Sequence, residues 1–577
     1  MAGYLLRIEG VNFASTMLDT TDLSTVRGAS FLYLEAITRI DKILRGRPEV
    51  GRVETLSQGG SVGLFSLDLA DGASPTQIRD ALEAELPKSN KLFSHLTFVV
   101  DLVKMREPPA LPPSEDADEQ ARAFLHNRER VIAANRWRQQ QSPSLVAPSP
   151  QSMPGGDRET SKRVCEFDLV RPGSIRSELI KGKQNRCLSD SVNDRRRYGI
   201  DCKFYWYQEF LRRPLDAGGR APFADFANDM ADLADPGSDG PNLKGKIAVF
   251  YADGNGFGRI QDDLIRGKNP WSAGPPEHRQ RDWDDRLRHY RRLLLERVLD
   301  TVAGSKAGLQ QLGEMTKKPL KEEVKLRKPP GKADDKRPNL RLETLYAAGD
   351  EGMWIVPASL GWTLAATFFA ETLGRDIETG RQGPRPGWTI GDHVDAPPLH
   401  HAAGLVFCHH DAPITRIQTL ARNLAEIAKA HDRSQSLLCY QVLESFDHIG
   451  RDLDAFRRER CPAGIAPSQM IVPGEKMGPV LGSIDALKSG KKLPRRQLKR
   501  LALTLHMDGA GESVSALEKT LRDEYPRGAD LAADLAPLRD CFGDGQALWL
   551  HLDDLWDFLV KPEAASAVAP AQAEGAA

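Results

Sequence analysis

Two short acidic turns carry the residues most able to do chemistry. Asp253 stands in FYADGNGFG, and Asp350 with Glu351 stands in YAAGDEG. Carboxylates that converge repel one another unless a cation lies between them. An all-oxygen donor set favours hard ions, Mg²⁺ or Mn²⁺. Two such ions can activate a ribose hydroxyl and stabilise a leaving pyrophosphate, which is the chemistry of nucleotidyl transfer. Gly254, Gly256 and Gly258, interleaved with Asn255 and Phe257, let the backbone approach a ligand closely. The N–H groups of such a turn can cradle phosphates. Either acidic turn alone is an ordinary hairpin feature. The two in this order, separated by helical sequence, point to a metal site built from Asp253 and Asp350.

The chain contains a degenerate copy of the same unit. RVETLSQGGSVGLF (52–65) aligns without a gap on RLETLYAAGDEGMW (341–354), with Ser61 and Val62 where Asp350 and Glu351 stand. Upstream, YLLRIEGVNFAS (4–15) matches AVFYADGNGFGR (248–259), placing Glu9 at the position of Asp253. Self-similarity of this kind indicates duplication of one structural unit. The first copy folds its hairpin without the acids, so the turn itself does not require them.

The elements that must position these turns follow from periodicity. Residues 4–12 alternate as a half-buried strand, 24–44 place apolar residues at helical spacing, and a hairpin surrounds Gly59-Gly60. A helix over 75–86 and a strand over 96–103 complete a β-α-β-β-α-β order, the ferredoxin-like palm. The second copy runs from a strand at 246–252 through a helix near 282–303, the hairpin 341–356, a helix over 360–374 and a strand over 400–408, to a helix over 413–431. Fold class is therefore α+β, with the first and third strands of each palm pairing centrally. The expected boundaries are a degenerate palm at 1–105, a linker with one helix at 106–160, and a catalytic palm with insertions at 161–435. A C-terminal α-helical domain at 436–562 and a disordered tail at 563–577 follow. The linker is Pro/Ser-rich on both sides of ARAFLHNRERVIAANRWRQQQ, a composition that buries no core. That helix reads as a docked linker helix or as a basic contact to nucleic acid. The Lys-rich insertion 317–338 reads as a solvated loop or as an RNA or phosphate contact.

Composition bounds the class. The 577 residues carry a net charge of -1, so any nucleic-acid surface must be local. No apolar run approaches a bilayer span, and MAGYLLRIEG enters a strand pattern with no secretory leader. Seven cysteines, an odd number, point to a reducing cytoplasm. Cys165, Cys187 and Cys202 lack paired spacing and read as buried thiols, or as a zinc site short of its fourth ligand.

With these residues in view, the chain resembles the GGDEF/GGDD palm superfamily of nucleotidyl cyclases and polymerases. Within it, the nearest likeness is to the large palm-containing subunit of type III CRISPR–Cas complexes, the CRISPR polymerase. YADGNGFG with AGDE resembles the metal-binding pair, and TVRGASFLYLEAI (25–37) the first-palm helix. HHDAPITRIQTLARNLAEIAKA (409–430) resembles the helix closing the second palm, and LPRRQLKRLALTL (493–505) the start of the C-terminal helical domain. The resemblance implies conversion of ATP or another NTP into short, usually cyclic, oligoadenylates in antiviral defence, with RNA and CRISPR-type effector subunits as partners and no membrane. It implies metal binding by Asp253 and Asp350, an assisting role for Glu351, and a close nucleotide approach at Gly349. It also implies a triphosphate contact for Lys429, which reads equally as a solvated helix-end lysine, with Arg416 a weaker candidate. Ala348 departs from the family's first glycine. The family's N-terminal HD nuclease domain is expected to be absent, and His409-His410-Asp411 and His431-Asp432, though HD-like, fall at palm strand and helix ends. Two other readings are a palm scaffold without activity and a diguanylate-cyclase-like homodimer. The retained acids favour an enzyme over the first. The second palm in the same chain disfavours the second.

Overall fold

The computed structural model describes residues 2–11, 16–17, 19–107, 119–141, 164–173, 175–177, 186–212, 223, 225–227, 229–234, 241–268, 273–310, 337–391, 395–444, 452–489, 492–507, 510–524 and 530–565. Most of the insertion 317–338, of the Pro/Ser-rich stretches and of the tail lies outside these residues.

The first sheet is built from β1 (Ala2–Val11), α1 (Leu23–Arg45), β2 (Val50–Gln58), β3 (Val62–Leu69), α2 (Pro75–Ser89) and β4 (Thr97–Lys104). Its strand order is β2-β3-β1-β4, antiparallel throughout. Helix α1 starts where the Asp22 carboxylate accepts the Thr25 N–H at 2.9 Å, an N-cap that satisfies an otherwise orphaned donor. Its Ala36, Ile37, Ile40 and Leu44 pack on Leu6, Ile8, Phe65 and Leu67. Helix α2 follows the same logic, with Ser74 as cap and Pro75 in its first turn.

Helices α3 (Glu119–Gln141) and α4 (Asp190–Leu211) bridge the two sheets. Phe124, Leu125 and Val131 of α3 are buried in a cluster with Leu5, Leu56 and Leu64. Arg128 donates to Asp262 at 2.5 Å and Arg138 to Glu83 at 2.8 Å. The docked reading of α3 thus describes its contacts, and these two cations are spent on the protein itself. Helix α4, which periodicity did not reveal, crosses α1 at glycine contacts. A Cβ on Gly28 would lie 1.9 Å from the Arg195 carbonyl oxygen, and one on Gly199 2.0 Å from that of Ser24. Beside this crossing, the buried Glu343 carboxylate receives Arg27 at 2.5 Å and Lys203 at 2.8 Å.

The second sheet holds β5 (Lys246–Gly254), β6 (Glu343–Ala348), β7 (Glu351–Pro357), β8 (His401–His409), β9 (Leu437–Val442) and β10 (Ile471–Pro473). Their order is β6-β7-β5-β8-β9-β10. Helices α5 (Phe257–Ile265), α6 (Pro276–Ala303), α7 (Gly361–Leu373) and α8 (Ile414–His431) connect and cover it. Strand β5 is a continuous apolar run because both of its faces are covered. Ala248, Phe250 and Ala252 share a core with residues of α6 and α7, while Ile247, Val249 and Tyr251 share one with Ile417, Leu420 and Leu424 of α8.

One boundary needs correction. The sheet continues past residue 435, since β9 pairs in parallel with β8 and β10 antiparallel with β9. SLLCYQVL is a short apolar run, and periodicity alone does not separate such a strand from a buried helical segment. Helices α9 (Val480–Lys488), α10 (Arg495–Leu505), α11 (Ala510–Glu524), α12 (Leu531–Phe542) and α13 (Ala547–Leu555) follow the sheet. Cys165 and Cys187 are buried and Cys202 is half-buried. Among the described residues, no metal-ligand cluster includes them. Among those residues too, no helix is long and apolar enough to cross a membrane.

Candidate active site

Strand pairing brings the acids together. Ala252 of β5 pairs with Gly352 of β7, and Ala348 with Glu351 closes the β6–β7 hairpin. One step outward, Asp253 therefore stands opposite Glu351, with Asp350 in the turn between β6 and β7. The turn needs Gly349, whose φ is +61°, a left-handed conformation that costs other residues energy. Gly256 has φ +72° and opens α5. No atom lies near where a Cβ would project from either glycine.

The electrostatics fit a site short of positive charge. Asp350 is pushed up to about 6 by burial and by the neighbouring Asp253, with Lys429 and Arg291 opposing. Partial burial of its carboxyl and Asp253 also raise Glu351, against the pull of Arg422. Lys429, on the last turn of α8, donates to Asp253 Oδ2 and lies 3.6 Å from Glu426. Burial works against the Lys429 charge, but Asp253 and Glu426 more than offset it, so its pKa is raised.

The remaining sequence-derived candidates divide. Asn255 is buried and its side chain donates to the carbonyls of Arg433 and Gln435 at 3.1 and 3.0 Å. Phe257 is buried against Trp283 and His401, with ring centroids 5.7 and 5.2 Å away. A Cβ on Gly254 would meet the Phe257 ring at 2.6 Å. These three shape the loop from beneath. Arg416 is exposed on the first turn of α8. Thirteen residues from Lys429, it lies about 20 Å away along the helix axis, so the two do not share a site.

Four basic or phenolic groups escaped the sequence reading. Arg422 donates to the Tyr346 hydroxyl at 2.9 Å and lies over the Tyr346 and Tyr251 rings, at 5.5 and 5.7 Å. The seven-residue spacing of Arg422 and Lys429 was the available signal, because it puts both on one helix face. Arg291 of α6 is buried, its Nε has no partner among the described residues, and burial lowers its pKa to about 10. Nothing in the local sequence distinguishes it from the other arginines of α6.

Arg291 also lines a cavity of about 790 Å³ between the two sheets, within the ~300–1,000 Å³ usual for ligand sites. Arg39 and Lys42 of α1, Arg288 and Arg292 of α6, and Trp206 and Phe210 of α4 contribute to its wall. Gln58 and Gly59 of the first hairpin and Ala347 of the second also border it. The hairpins touch, since a Cβ on Gly60 would fall 2.4 Å from that of Ala348. Asp284 of α6 accepts the Ser57 hydroxyl and the Gln58 N–H at 3.0 and 3.2 Å. In the first sheet, Glu9 faces Val62 across the strands and is clamped by Arg7 at 2.7 Å.

No family model and no curated protein matches the chain. Solved structures similar to it include a Csm1–Csm4 cassette in complex with cA4, at 13% identity and TM-score 0.48, covering 97% of this chain and 70% of that one. Csm1 of T. onnurineus is similar at 11% identity and TM-score 0.48, with the same coverage. A Csm1–Csm4 cassette in complex with one ATP matches at 13% identity and TM-score 0.47, again over 97% and 70%.

Proposed function

We propose that this chain is a palm-type nucleotidyltransferase of the CRISPR-polymerase kind, joining ATP or another NTP into short cyclic oligonucleotides. The carrying observation is the convergence of Asp253 and Asp350 at one sheet end, where an ammonium group already bonds Asp253. The strand orders β2-β3-β1-β4 and β6-β7-β5-β8 support two ferredoxin-like palms, of which only the second keeps its acids. Residues 1–105 form the first palm in this reading, and the second extends to β10.

The donor set fits Mg²⁺ or Mn²⁺. Carboxylate oxygens of Asp253 and Asp350 are hard ligands, and Lys429 stands in as the cation they need. Such ions, when bound, supply activation of a ribose hydroxyl and stabilisation of the leaving pyrophosphate. The chain's own groups do the rest. Lys429 moves from Asp253 to phosphate oxygens, and the backbone at Gly256 and Gly349 approaches the nucleotide without steric hindrance. Arg422 holds Tyr346, and its charge favours the ionised form of Glu351. Arg291, with Arg288 and Arg292, offers the inter-sheet cavity as a place for an anionic nucleotide, and Trp206 and Phe210 give its base an aromatic wall. The first palm contributes Arg39 and Lys42 of α1 to the cavity but no catalysis, because Glu9 is committed to Arg7.

Incubating the full chain with each NTP and Mg²⁺ or Mn²⁺, followed by mass spectrometry, tests the reading. Cyclic or linear oligonucleotides are expected, oligoadenylates foremost. If no NTP is consumed with either metal, and none after adding RNA or a CRISPR-type effector complex, the protein is a scaffold.

A further inference from the structure

We propose that His409, His410 and Asp411 form a second site for a divalent transition-metal ion, Zn²⁺, Ni²⁺ or Co²⁺, remote from the acidic turns. In the β8–β5 register His401 faces Gly254 and His409 faces Lys246. Asp253 faces Ala402 in the same register, so His409 lies at the opposite sheet end, about 24 Å from the level of Asp253 at ~3.4 Å per residue.

The three side chains each turn one ligand atom inward, and these atoms lie within 4.8 Å of one another. Asp411 bridges the rings, with Oδ2 at 3.3 Å from His409 Nδ1 and Oδ1 at 3.3 Å from His410 Nε2. The tautomer of His410 follows from its other nitrogen. Nδ1 lies 3.0 Å from the Gly245 carbonyl oxygen, an acceptor only, so Nδ1 carries a proton and Nε2 is the ring nitrogen left for a metal. A ring nitrogen held by a backbone carbonyl is how metal-ligating histidines are commonly oriented. His409 Nδ1 is also an acceptor, approached by the Asp411 N–H at 3.4 Å, a long contact that a metal would replace. Two ring nitrogens thus converge on a carboxylate, a set that a ring proton holds together in the free protein and a metal ion when bound.

Gly245 builds the site twice over. Its carbonyl orients His410. Its φ of +74° and missing side chain admit His409, whose Nε2 would lie 2.6 Å from a Cβ there. Two imidazoles and one carboxylate suit Zn²⁺, Ni²⁺ or Co²⁺ rather than Mg²⁺. Asp411 and His409 are exposed, so water completes the coordination, as at three-ligand zinc sites. The ion would lock the end of β8, and through the His410–Gly245 bond the turn before β5; the acids at Asp253 and Asp350 play no part.

The test is titration of the full chain with Co²⁺ and Zn²⁺, in an Asp253→Ala/Asp350→Ala background that removes the acidic turns. Calorimetry and the Co²⁺ absorption spectrum are read together. The expected result is one equivalent bound without a thiolate charge-transfer band. Affinity should fall at least tenfold in His409→Ala/His410→Ala and also in His410→Gln, which keeps size and polarity. Gly245→Ala should weaken it as well. Titrations identical in the presence and absence of the two histidines overturn the proposal. So does binding that shows only the thiolate band, which would place the ion on cysteines, or no binding to any form.

Discussion

Asp350→Asn should stabilise the metal-free protein at neutral pH while removing its activity. The side chain is nearly the same size, so the effect isolates the charge. Burial and Asp253 raise the Asp350 carboxyl from 3.8 to about 6. At 1.36 kcal/mol per pH unit, keeping it ionised above pH 6 costs up to about 3 kcal/mol. Asp350 is only partly buried, and solvent screening reduces this to about 1–2 kcal/mol. The sign follows from proton linkage. The folded state holds the proton more tightly, so the penalty is full above pH 6, shrinks as pH falls, and is gone below about 4. The assay is thermal melting of wild type and variant between pH 4 and 8. For a cooperative unit of 150–250 residues, the variant should melt about 2–8 °C higher at pH 7.5, with the gap closing toward pH 4. Mn²⁺ should raise the wild-type Tm and leave the variant unmoved, since only the native acids bind it. That wild-type gain should weaken below pH 6 as protons compete. A variant that melts lower than wild type at pH 7.5, or a gap that widens toward pH 4, would refute the reasoning.

Lys429→Met should leave Asp253 and Asp350 facing each other without a cation, raising the Asp350 pKa further and lowering NTP turnover at least tenfold; an unchanged pH profile for turnover argues against it. Glu9→Ala should be nearly silent in turnover, because Arg7 already holds Glu9, Val62 faces it across the strands, and Ser61 stands where the second copy has Asp350; a loss like that of Asp350→Ala would mean that the first sheet is catalytic. Glu343→Ala should destabilise the protein by about 3–5 kcal/mol, since Arg27 and Lys203 would remain buried and unpaired; denaturant unfolding checks this, and a neutral result contradicts the buried cluster.

The strands and helices around both acidic turns were legible because their signals are local. The hairpin at 341–356 and the helix at 413–431 appear within a residue or two of where alternation and apolar spacing put them. Asp253 and Asp350 stood out as candidates for another reason: the degenerate copy showed which residues the turn could do without. Other features depend on contacts far apart in the chain. Helix α4 owes its place to Gly28 and Gly199, two ordinary glycines until they meet. Strand β9 looked helical because LLCYQV is too short for its period to decide. Arg291 became a site candidate only when folding buried it beside Asp350 and the inter-sheet cavity. Arg416 misled because helix position, invisible in composition, separates it from Lys429.

The most direct test compares wild type with Asp253→Ala/Asp350→Ala for pyrophosphate release from ATP in Mg²⁺ or Mn²⁺, with products identified by mass spectrometry. Oligoadenylate and matching pyrophosphate are expected from wild type, and neither from a variant whose circular dichroism is unchanged. Equal product from the two proteins would contradict the claim that these acids form the catalytic centre.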